Sequence, residues 1–326
     1  MSEPTLVVDS LRVEIPTRRG VVHAVRGVSF DVESGETFAL VGESGSGKTM
    51  TCRAILRLLH PPAHITGGSV HFQGRDLVPL PEEEVEHIRG RGIAMVFQDP
   101  MTALNPVLTV ERQITETLTD GHSAAERRTR AVELLRQVGI PDPERRLGAY
   151  PHQLSGGQRQ RVMLAIGLAR VPALLLADEP TTALDVTIQA QILRLIVALQ
   201  KDLGMALILV THDLGIVYQL VDRVAVMYAG QIVELAATAD LFAAPRHPYT
   251  IGLIASVPGL DRTRPLTPIM GTPPDLVAIG EGCPFAPRCA WASDECRTGE
   301  IPFVQVGKAH WSRCIKTDQL VGALGG

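Results

Sequence analysis

Residues 42–49 read GESGSGKT, between the apolar segment ETFALV and the segment MTCRAILRLL. They match the pattern G-x-x-x-x-G-K-[ST] at every defined position. Glycines let such a loop turn its backbone N–H groups toward phosphate oxygens, Lys48 can reach the β- and γ-phosphates, and the Thr49 hydroxyl can ligate Mg²⁺. The flanking segments predict a strand before the loop and a helix after it, whose N-terminus favours an anion. The residues expected to contact a nucleotide are Gly42, Ser44, Gly45, Ser46, Gly47, Lys48 and Thr49.

Two adjacent carboxylates end a second apolar segment, ALLLADEP at residues 173–180. Neighbouring side chains on a strand point to opposite faces, so Asp178 and Glu179 are predicted to act differently. Asp178 would hold Mg²⁺ through water, and Glu179 would polarise the attacking water as a general base. Alone, the pair fits a solvated turn after a core strand equally well. Together with the phosphate loop, the pair favours a nucleotide-hydrolysing site over a solvated turn.

The composition is that of an ordinary globular protein. Of 326 residues, 45% are hydrophobic and 20% are charged, and a net charge of −4 gives no reason to expect nucleic-acid binding. The sequence MSEPTLVVDS has no basic region followed by an apolar core, and the most apolar windows are shorter than the roughly 20 residues of a membrane-spanning helix. We therefore expect a cytoplasmic chain whose cysteines are metal ligands or free thiols rather than disulfides.

The segment LSGGQRQRV, Leu154 to Val162, resembles the signature of the nucleotide-binding subunits of ABC transporters. By itself, Ser-Gly-Gly is typical of a helix cap, here at the start of the predicted helix GQRQRVMLAIGLAR. The resemblance implies that this segment closes over the γ-phosphate of ATP held by a second subunit, so that two subunits enclose two nucleotides. The residues that match the signature are Leu154, Ser155, Gly156, Gly157 and Gln158.

Further motifs of that family follow in the expected order. Gln98 matches the Q-loop glutamine, which touches Mg²⁺ and the attacking water in the resembled proteins. Ala183, Leu184 and Asp185 match the D-loop, which lies across the dimer, and His212 matches the switch histidine, which senses the γ-phosphate. A lone glutamine or histidine at a strand end is usually only a hydrogen-bonded polar residue. The ordered set of motifs favours the catalytic interpretation.

One element departs from the family pattern. Many members stack adenine on an aromatic residue that precedes the GVSF strand. The corresponding segment, TRRGVVHAVRGVSF, contains no Tyr or Trp and has Phe only within that strand. An arginine guanidinium can stack on a base instead, which makes Arg19 the candidate at this position.

The resemblance implies the α/β fold of a P-loop NTPase, with an ABC-type nucleotide-binding domain over residues 1–260. That domain would comprise a RecA-like core, an antiparallel β subdomain and a helical subdomain inserted at about residues 99–170. Helical patterning in TVERQITETL and AAERRTRAVELLRQVG agrees with this insertion. DNA-repair ATPases of the superfamily interpose a long coiled coil or zinc modules, and translation-type members carry two ATPase modules. This chain shows one phosphate loop, one signature and no sustained heptad repeat, which favours a transporter subunit.

Four of the five cysteines fall within a predicted C-terminal extension, residues 261–326, with the spacing C-x5-C-x6-C-x17-C. Four thiolates could hold a [4Fe–4S] cluster, which tolerates irregular spacing, or zinc, which favours closer pairs, or they could be free thiols that only pack. With the preceding HPYT, the array resembles the extension of oligopeptide, dipeptide and nickel importer ATPases, some of which carry an iron–sulfur cluster. The resemblance therefore favours a structural [4Fe–4S] cluster over Zn²⁺. The ligands would be Cys283, Cys289, Cys296 and Cys314.

The resemblance to this importer group implies a function and a set of partners. We expect the ATP-hydrolysing subunit of an ABC importer for oligopeptides or dipeptides, with nickel or another solute as the alternative and a soluble nucleic-acid ATPase as the remote one. The expected cofactors are ATP and Mg²⁺. The expected partners are a second, distinct ATPase subunit in a heterodimer, two transmembrane permease subunits and an extracytoplasmic solute-binding protein, with no nucleic acid. The chain would bind peripherally at the cytoplasmic face of the membrane.

Overall fold

The structure is a computed structural model that describes residues 3–98, 103–118, 121, 123–181, 185–257 and 268–324. The chain divides into two compact units. The first unit comprises residues 1–33, 37–79 and 210–326, and the second comprises residues 34–36 and 80–209. The first unit therefore combines the beginning of the chain with its C-terminal part, whereas the second is nearly continuous.

The first unit contains an antiparallel four-stranded sheet with the strand order β2-β1-β4-β5. Along β1, Leu6, Val8, Leu11 and Val13 are buried, since apolar residues on one face of a strand turn toward the core. The strands of this sheet are β1 (Leu6–Thr17), β2 (Gly20–Val32), β4 (His64–Phe72) and β5 (Arg75–Asp76).

A second sheet in the first unit has the strand order β11-β12-β10-β9-β3. Strand β3 pairs in parallel with β9, and all five residues of β3 are buried, as is typical of a strand covered on both faces. Strand β12 pairs antiparallel with β10, so residues near the C-terminus extend this sheet. The strands are β3 (Thr37–Val41), β9 (Arg223–Tyr228), β10 (Gln231–Ala237), β11 (Val304–Gly307) and β12 (His310–Ser312).

Among the residues that the structure describes, five helices of the first unit accompany these sheets. The first follows β3 directly, as the sequence predicts, and the last lies near the C-terminus. Short 3₁₀ turns at Ala286–Arg288 and Asp294–Arg297 lie between the last two helices. The helices are α1 (Lys48–Ile55), α8 (Leu214–Leu220), α9 (Thr238–Ala243), α10 (Pro248–Ala255) and α11 (Thr317–Leu324).

The second unit has a short parallel sheet and most of the longer helices. Strand β6 (Ile93–Val96) pairs in parallel with β7 (Leu174–Asp178), and β8 (Ala206–Thr211), whose first four residues belong to this unit, follows β7 in the strand order. None of the helices in the described part of the chain is long and apolar enough to span a membrane. The helices are α2 (Glu82–Ile88), α3 (Val110–Thr115), α4 (Ala124–Gln137), α5 (Pro143–Arg146), α6 (Gly156–Leu168) and α7 (Val186–Leu203).

The helical patterning around residues 109–137 is confirmed as α3 and α4. Helix α4 begins with a capping box in which the Ser123 side chain accepts from the backbone N–H of Glu126 and the Glu126 carboxylate accepts from that of Ser123. Such reciprocal bonds satisfy backbone donors that have no partner within the helix. The predicted helix after the signature forms as α6. The residues at the start of the proposed insertion, 99–102, lie outside the described residues.

Candidate functional site

The phosphate loop, residues 42–49, joins β3 to α1 within the first unit. Its backbone requires glycine at two positions. At Gly42, φ is +149° and an added Cβ would lie 2.2 Å from the Met227 carbonyl oxygen; at Gly47, φ is +106° and a Cβ would lie 2.5 Å from the Ala24 carbonyl oxygen. A side chain at either position would therefore combine backbone strain with a collision that no rotamer could relieve. The loop can adopt this path only with the glycines that the motif prescribes.

Lys48 is held inside the loop. Its side chain is buried, and Nζ donates to the carbonyl oxygens of Gly42 at 2.8 Å and Glu43 at 3.0 Å and to the Ser46 hydroxyl at 3.4 Å. These acceptors fix the ammonium group against the loop, where a preorganised charge can bind phosphate with little reorganisation. Thr49 lies in the first turn of α1, whose N-terminal end adds a favourable field for an anion.

Glu43 is a residue of this loop that the sequence motif leaves undefined. Its carboxylate forms a two-point ion pair with Arg288, at 2.6 Å and 2.9 Å, and its backbone N–H donates to the Tyr249 hydroxyl at 2.8 Å. None of the sequence motifs indicates this contact. Arg288 lies 245 positions away, and no local pattern connects the two residues.

Two further predicted residues lie in the first unit. His212 follows β8 and is exposed, and the neighbouring Asp213 caps α8 by accepting from the backbone N–H of Ile216 at 3.1 Å. Arg19, the candidate for stacking on adenine, lies in the turn between β1 and β2 and forms an exposed ion pair with Asp275 at 2.8 Å. Surface pairs of this kind contribute little to stability, so this contact does not fix the guanidinium strongly.

The predicted carboxylates lie at the end of β7 in the second unit. Asp178 is the last residue of the strand and is 1% exposed. Glu179 follows with φ of +43°, an uncommon backbone conformation for a residue other than glycine, and it is partly accessible. Gln98, which follows β6, donates from Nε2 to a Glu179 carboxylate oxygen at 3.2 Å. The parallel pairing of β6 with β7 thus brings together two residues that the sequence identified separately.

The signature residues form the start of α6. The Ser155 hydroxyl accepts from the Gln158 backbone N–H at 3.3 Å, and the Gln158 side-chain oxygen accepts from the Ser155 N–H at 3.1 Å. Leu154 is buried, and an added Cβ at Gly157 would lie only 3.1 Å from Ile188. This capping box fixes a helix N-terminus of the type that binds anions.

The D-loop is only partly described. Asp185 is exposed and immediately precedes α7, and its carbonyl oxygen accepts from the Gln189 N–H at 2.9 Å in the first turn. Ala183 and Leu184 lie outside the described residues.

The four C-terminal cysteines line one pocket, which we call the cysteine pocket. Burial raises the pKa of Cys283 and Cys289 and raises that of Cys314 to about 11, and each of these thiolates would also be disfavoured by another cysteine. This arrangement therefore favours protonated thiols. Within the described residues, no group of three or more His, Cys, Asp or Glu side chains is placed to hold a metal ion, so the expected metal centre is not supported by this arrangement. Cys52, the fifth cysteine, is buried in α1 and does not line this pocket.

His247 also lines the cysteine pocket. Its Nδ1 accepts from the Tyr249 backbone N–H at 3.1 Å, whereas its buried Nε2 has no hydrogen-bond partner among the described residues. Burial, together with a smaller effect of the Arg313 charge, lowers the pKa of His247 to about 3, so the ring is neutral. A neutral ring whose Nδ1 accepts must carry its proton on Nε2, which leaves one buried donor unsatisfied.

Comparison with known protein families agrees with this set of sites. The family model described as "ABC transporter" matches residues 25–182. The family model described as "Oligopeptide/dipeptide transporter, C-terminal region" matches residues 233–296, which include HPYT and three of the cysteines. The first match covers the phosphate loop, the signature and the carboxylates, and the second covers a region that the first does not reach.

Individual relatives resemble nearly the whole chain. The oligopeptide transport ATP-binding protein OppD of Bacillus subtilis is 51% identical over 94% of this chain and 87% of its own length. The dipeptide transport ATP-binding protein DppD of the same organism is 53% identical over 88% and 87%. A dimeric ATP-binding cassette solved in a post-hydrolysis state with ADP and Pi has a TM-score of 0.65 and 29% identity, covering 72% of this chain and 98% of that one.

These likenesses define the class: the chain belongs to the ATP-binding proteins of the ABC transporter family, and its fold is the α/β ATP-binding cassette. It is an ATPase of that family. Within the family, its similarity to OppD and DppD and its C-terminal match assign it to the oligopeptide/dipeptide transporter group, which confirms the resemblance inferred from the motifs.

Proposed function

We propose that this chain hydrolyses ATP to drive the import of oligopeptides or dipeptides across the cell membrane. The observation that carries this proposal is the C-terminal match over residues 233–296, which lies outside the general ATPase match and selects the peptide-transporter group. The names of the most similar relatives support the same substrate class. We further propose an ATPase domain over residues 1–260 and a C-terminal extension over residues 261–326.

The proposed assembly contains more than this chain. A second, distinct ATP-binding subunit would form the composite sites, and two permease subunits would carry the pathway through the membrane. A solute-binding protein would deliver the peptide from outside, and this chain would bind at the cytoplasmic face. The capped N-terminus of α6 supports the proposed composite sites. It presents Ser155, Gly156 and Gly157 as an anion-binding surface for ATP that is bound to a partner subunit.

In the proposed reaction, the oxygen of a water molecule forms a bond to the γ-phosphorus while the bond from that phosphorus to the β–γ bridging oxygen breaks. Glu179 accepts a proton from the water, and its contact with Gln98 supports a role for both residues in orienting that water. Lys48 neutralises charge that moves toward the bridging oxygen. Thr49 and Asp178 would hold Mg²⁺. Every residue that is given a role in this reaction belongs to one of the motifs identified in the sequence.

Other contacts are proposed at the edges of the nucleotide. His212 would sense the γ-phosphate, and Asp185 with the rest of the D-loop would act across the dimer. Arg19 would stack on adenine, which its exposed position and planar guanidinium permit.

We also propose that the cysteine pocket holds a [4Fe–4S] cluster, with Zn²⁺ as the less favoured occupant. Four thiols that line a single pocket are the donor set such a cluster uses, and the unsatisfied Nε2–H of His247 could donate to a cluster sulfide or thiolate. Binding would deprotonate the thiols, as metal binding generally does. The cluster would crosslink residues that are distant in sequence and so stabilise this segment. The residues that would hold it are Cys283, Cys289, Cys296 and Cys314.

The decisive experiment for the import function uses the assembled complex in lipid vesicles. ATPase activity should rise when peptide-loaded solute-binding protein is added, and labelled peptide should accumulate only when ATP is present. Stimulation by DNA instead of the loaded binding protein would contradict an importer. Stimulation by a nickel-loaded binding protein but not by a peptide-loaded one would contradict the substrate class and leave the ATPase assignment intact.

A further inference from the structure

Arg288 connects the C-terminal segment to the phosphate loop within the first unit. It is the last residue of the 3₁₀ turn Ala286–Arg288, and its side chain is only 4% exposed. Nη1 and Nη2 donate to the two carboxylate oxygens of Glu43, at 2.6 Å and 2.9 Å. A two-point pair between planar groups fixes orientation as well as distance, and burial removes much of the screening that weakens surface pairs.

The guanidinium has a defined set of other contacts that hold it in place. Nε donates to the Met270 carbonyl oxygen at 2.9 Å, Nη2 to the Ile269 carbonyl oxygen at 3.3 Å and Nη1 to the Tyr228 hydroxyl at 3.2 Å. Its central carbon lies 5.8 Å from the ring centre of Tyr228 and 5.7 Å from that of Phe285. The hydrogen bond to Glu43 raises the pKa of Arg288, so its charge is permanent. Arg288 is therefore a fixed, charged anchor for the loop.

The backbone of Glu43 is held as well. Its N–H donates to the hydroxyl of Tyr249, a fully buried residue of α10, and its carbonyl oxygen accepts from Lys48 Nζ at 3.0 Å. Burial raises the pKa of Tyr249, which keeps the hydroxyl protonated. The position of Glu43 thus fixes one of the acceptors that orient the phosphate-binding ammonium group.

We infer that Arg288 is a positioning residue for ATP binding: by neutralising and orienting Glu43, it holds the phosphate loop in its binding conformation. Without Arg288, a partly buried carboxylate would lie unpaired in the loop that receives a triphosphate, and its repulsion of the phosphates would weaken binding. The expected effect falls on ground-state affinity rather than on the chemical step. This inference rests on the proposed function in one respect, because it requires that residues 42–49 bind ATP.

The test measures ATP affinity of the full chain by calorimetry and steady-state ATPase kinetics in the assembled complex. Arg288→Ala should raise both the Kd and the KM for ATP about tenfold while changing kcat less than about twofold. The reason is that the substitution weakens binding of the ground state and of the transition state equally. Arg288→Lys should lie between the wild type and Arg288→Ala, because lysine keeps the charge but not the two-point geometry.

The double variant Glu43→Gln with Arg288→Ala distinguishes an electrostatic role from a merely structural one. It should recover a large part of the affinity lost in Arg288→Ala, because the unpaired carboxylate is gone. Glu43→Gln alone tests the pair from the loop side if Arg288→Ala does not fold, and it should shift the KM in the same direction by a smaller factor. Lys308→Ala, which removes an exposed charge from the β11–β12 turn, is the matched control and should change neither constant.

The outcomes separate the inference from the proposed function. A wild-type chain that does not bind ATP would contradict the nucleotide site itself. A wild-type chain that binds ATP, with folded Arg288→Ala showing unchanged Kd and KM, would contradict only the positioning role. Equal losses of affinity in Arg288→Ala and in the double variant would also overturn it, because the carboxylate would then have no part in the effect.

Discussion

The phosphate loop and the cysteine pocket both lie in the first unit, yet they are built in different ways. The loop consists of eight consecutive residues, and its shape follows from glycines at positive φ between a buried strand and a helix. The pocket collects cysteines from 283 to 314 together with His247 from another part of the chain. A local element of this kind can be recognised from its motif, whereas a pocket assembled from separated segments has no comparable local signal.

The two regions are also connected. Arg288, between two cysteines of the pocket, pairs with Glu43 of the loop, and Tyr249 binds the Glu43 backbone from the HPYT helix. The C-terminal segment therefore contributes to the environment of the phosphate loop. A motif can thus define the chemistry of a loop while residues far away in sequence define its position.

The largest expected effect concerns Glu179, the proposed general base, which lies outside the C-terminal segment. Glu179→Gln should lower ATP turnover roughly 10²- to 10⁴-fold while retaining ATP binding, because it removes a general base and leaves the phosphate-binding residues in place. ATP hydrolysis by the assembled complex and ATP binding measured by calorimetry check this. Glu86→Gln, an exposed carboxylate on α2, is the control and should be near wild type. Unchanged turnover in Glu179→Gln would remove the base assignment.

A smaller but still large effect is expected when Gly42 of the phosphate loop is replaced. Gly42→Ala should destabilise the loop by about 2 kcal/mol or more and weaken ATP binding, because the new Cβ would lie 2.2 Å from the Met227 carbonyl oxygen at an unfavourable φ. Gly45→Ala is the matched control: its φ is +78°, but no atom lies within 4 Å of the added Cβ. Gly45→Ala should lower the free energy of unfolding by only about 1 kcal/mol, the cost of the left-handed backbone alone. Thermal unfolding and ATP affinity distinguish the two, and equal effects would contradict the steric argument.

The cysteine pocket should respond to the loss of one thiol without loss of the ATPase chemistry. Cys289→Ser should abolish bound iron and acid-labile sulfide and lower the Tm by several degrees, corresponding to about 1–2 kcal/mol. Cys52→Ala, outside the pocket, is the control and should retain the metal content of the wild type. Anaerobically purified protein that contains neither iron nor zinc before any substitution would contradict the cluster proposal. Purified protein that contains zinc but no iron would contradict the iron–sulfur assignment and support a zinc site instead.

The expected effect that is smallest near neutral pH concerns the pH dependence of stability. The pKa of His247 is about 3 in the folded chain, below its ordinary 6.5, so above pH 6.5 the residue is neutral in both the folded and the unfolded state. Between pH 6.5 and about 3 the unfolded chain takes up a proton that the folded chain does not. Stability therefore falls with falling pH in this window, by at most about 1.4 kcal/mol per pH unit from this residue.

His247→Asn keeps an acceptor for the Tyr249 N–H but removes the titration. Denaturant unfolding of both proteins between pH 7 and pH 4.5 should show a shallower loss of stability in the variant, roughly in proportion to that slope. Carboxylates such as Glu234 and the charge of Arg313 remain in both proteins, so the difference between the two curves isolates His247. Parallel curves would show that His247 is protonated without cost in the folded chain.

Much of the fold could be predicted because the relevant signals are local. The strand–loop–helix unit around Lys48, the helix that begins after Ser155 and the apolar strand ending at Asp178 are all determined by short patterns of apolar, glycine and capping residues. The pairing of β12 with β10 was not predicted, because β12 is only three residues long and its partner lies far away in sequence.

The candidate site was predicted in its parts rather than in its contacts. Gln98 and Glu179 were both identified, but their hydrogen bond depends on the parallel pairing of β6 and β7. Arg19 was identified as a stacking candidate, whereas its ion pair with Asp275 could not be anticipated. Side-chain partners far apart in sequence are decided by packing, which leaves no regular spacing to detect.

Short stretches of the sequence are enough to predict a nucleotide-phosphate site and to place this chain with the ABC ATPases, because glycine loops, helix caps and strand-end carboxylates act over a few consecutive residues. The tertiary structure alone decided that Arg288 neutralises Glu43 and that four cysteines and His247 share one pocket. Both arrangements depend on how segments that are separated in sequence pack together. Burial then strengthens the ion pair and shifts the pKa values of the thiols and of His247.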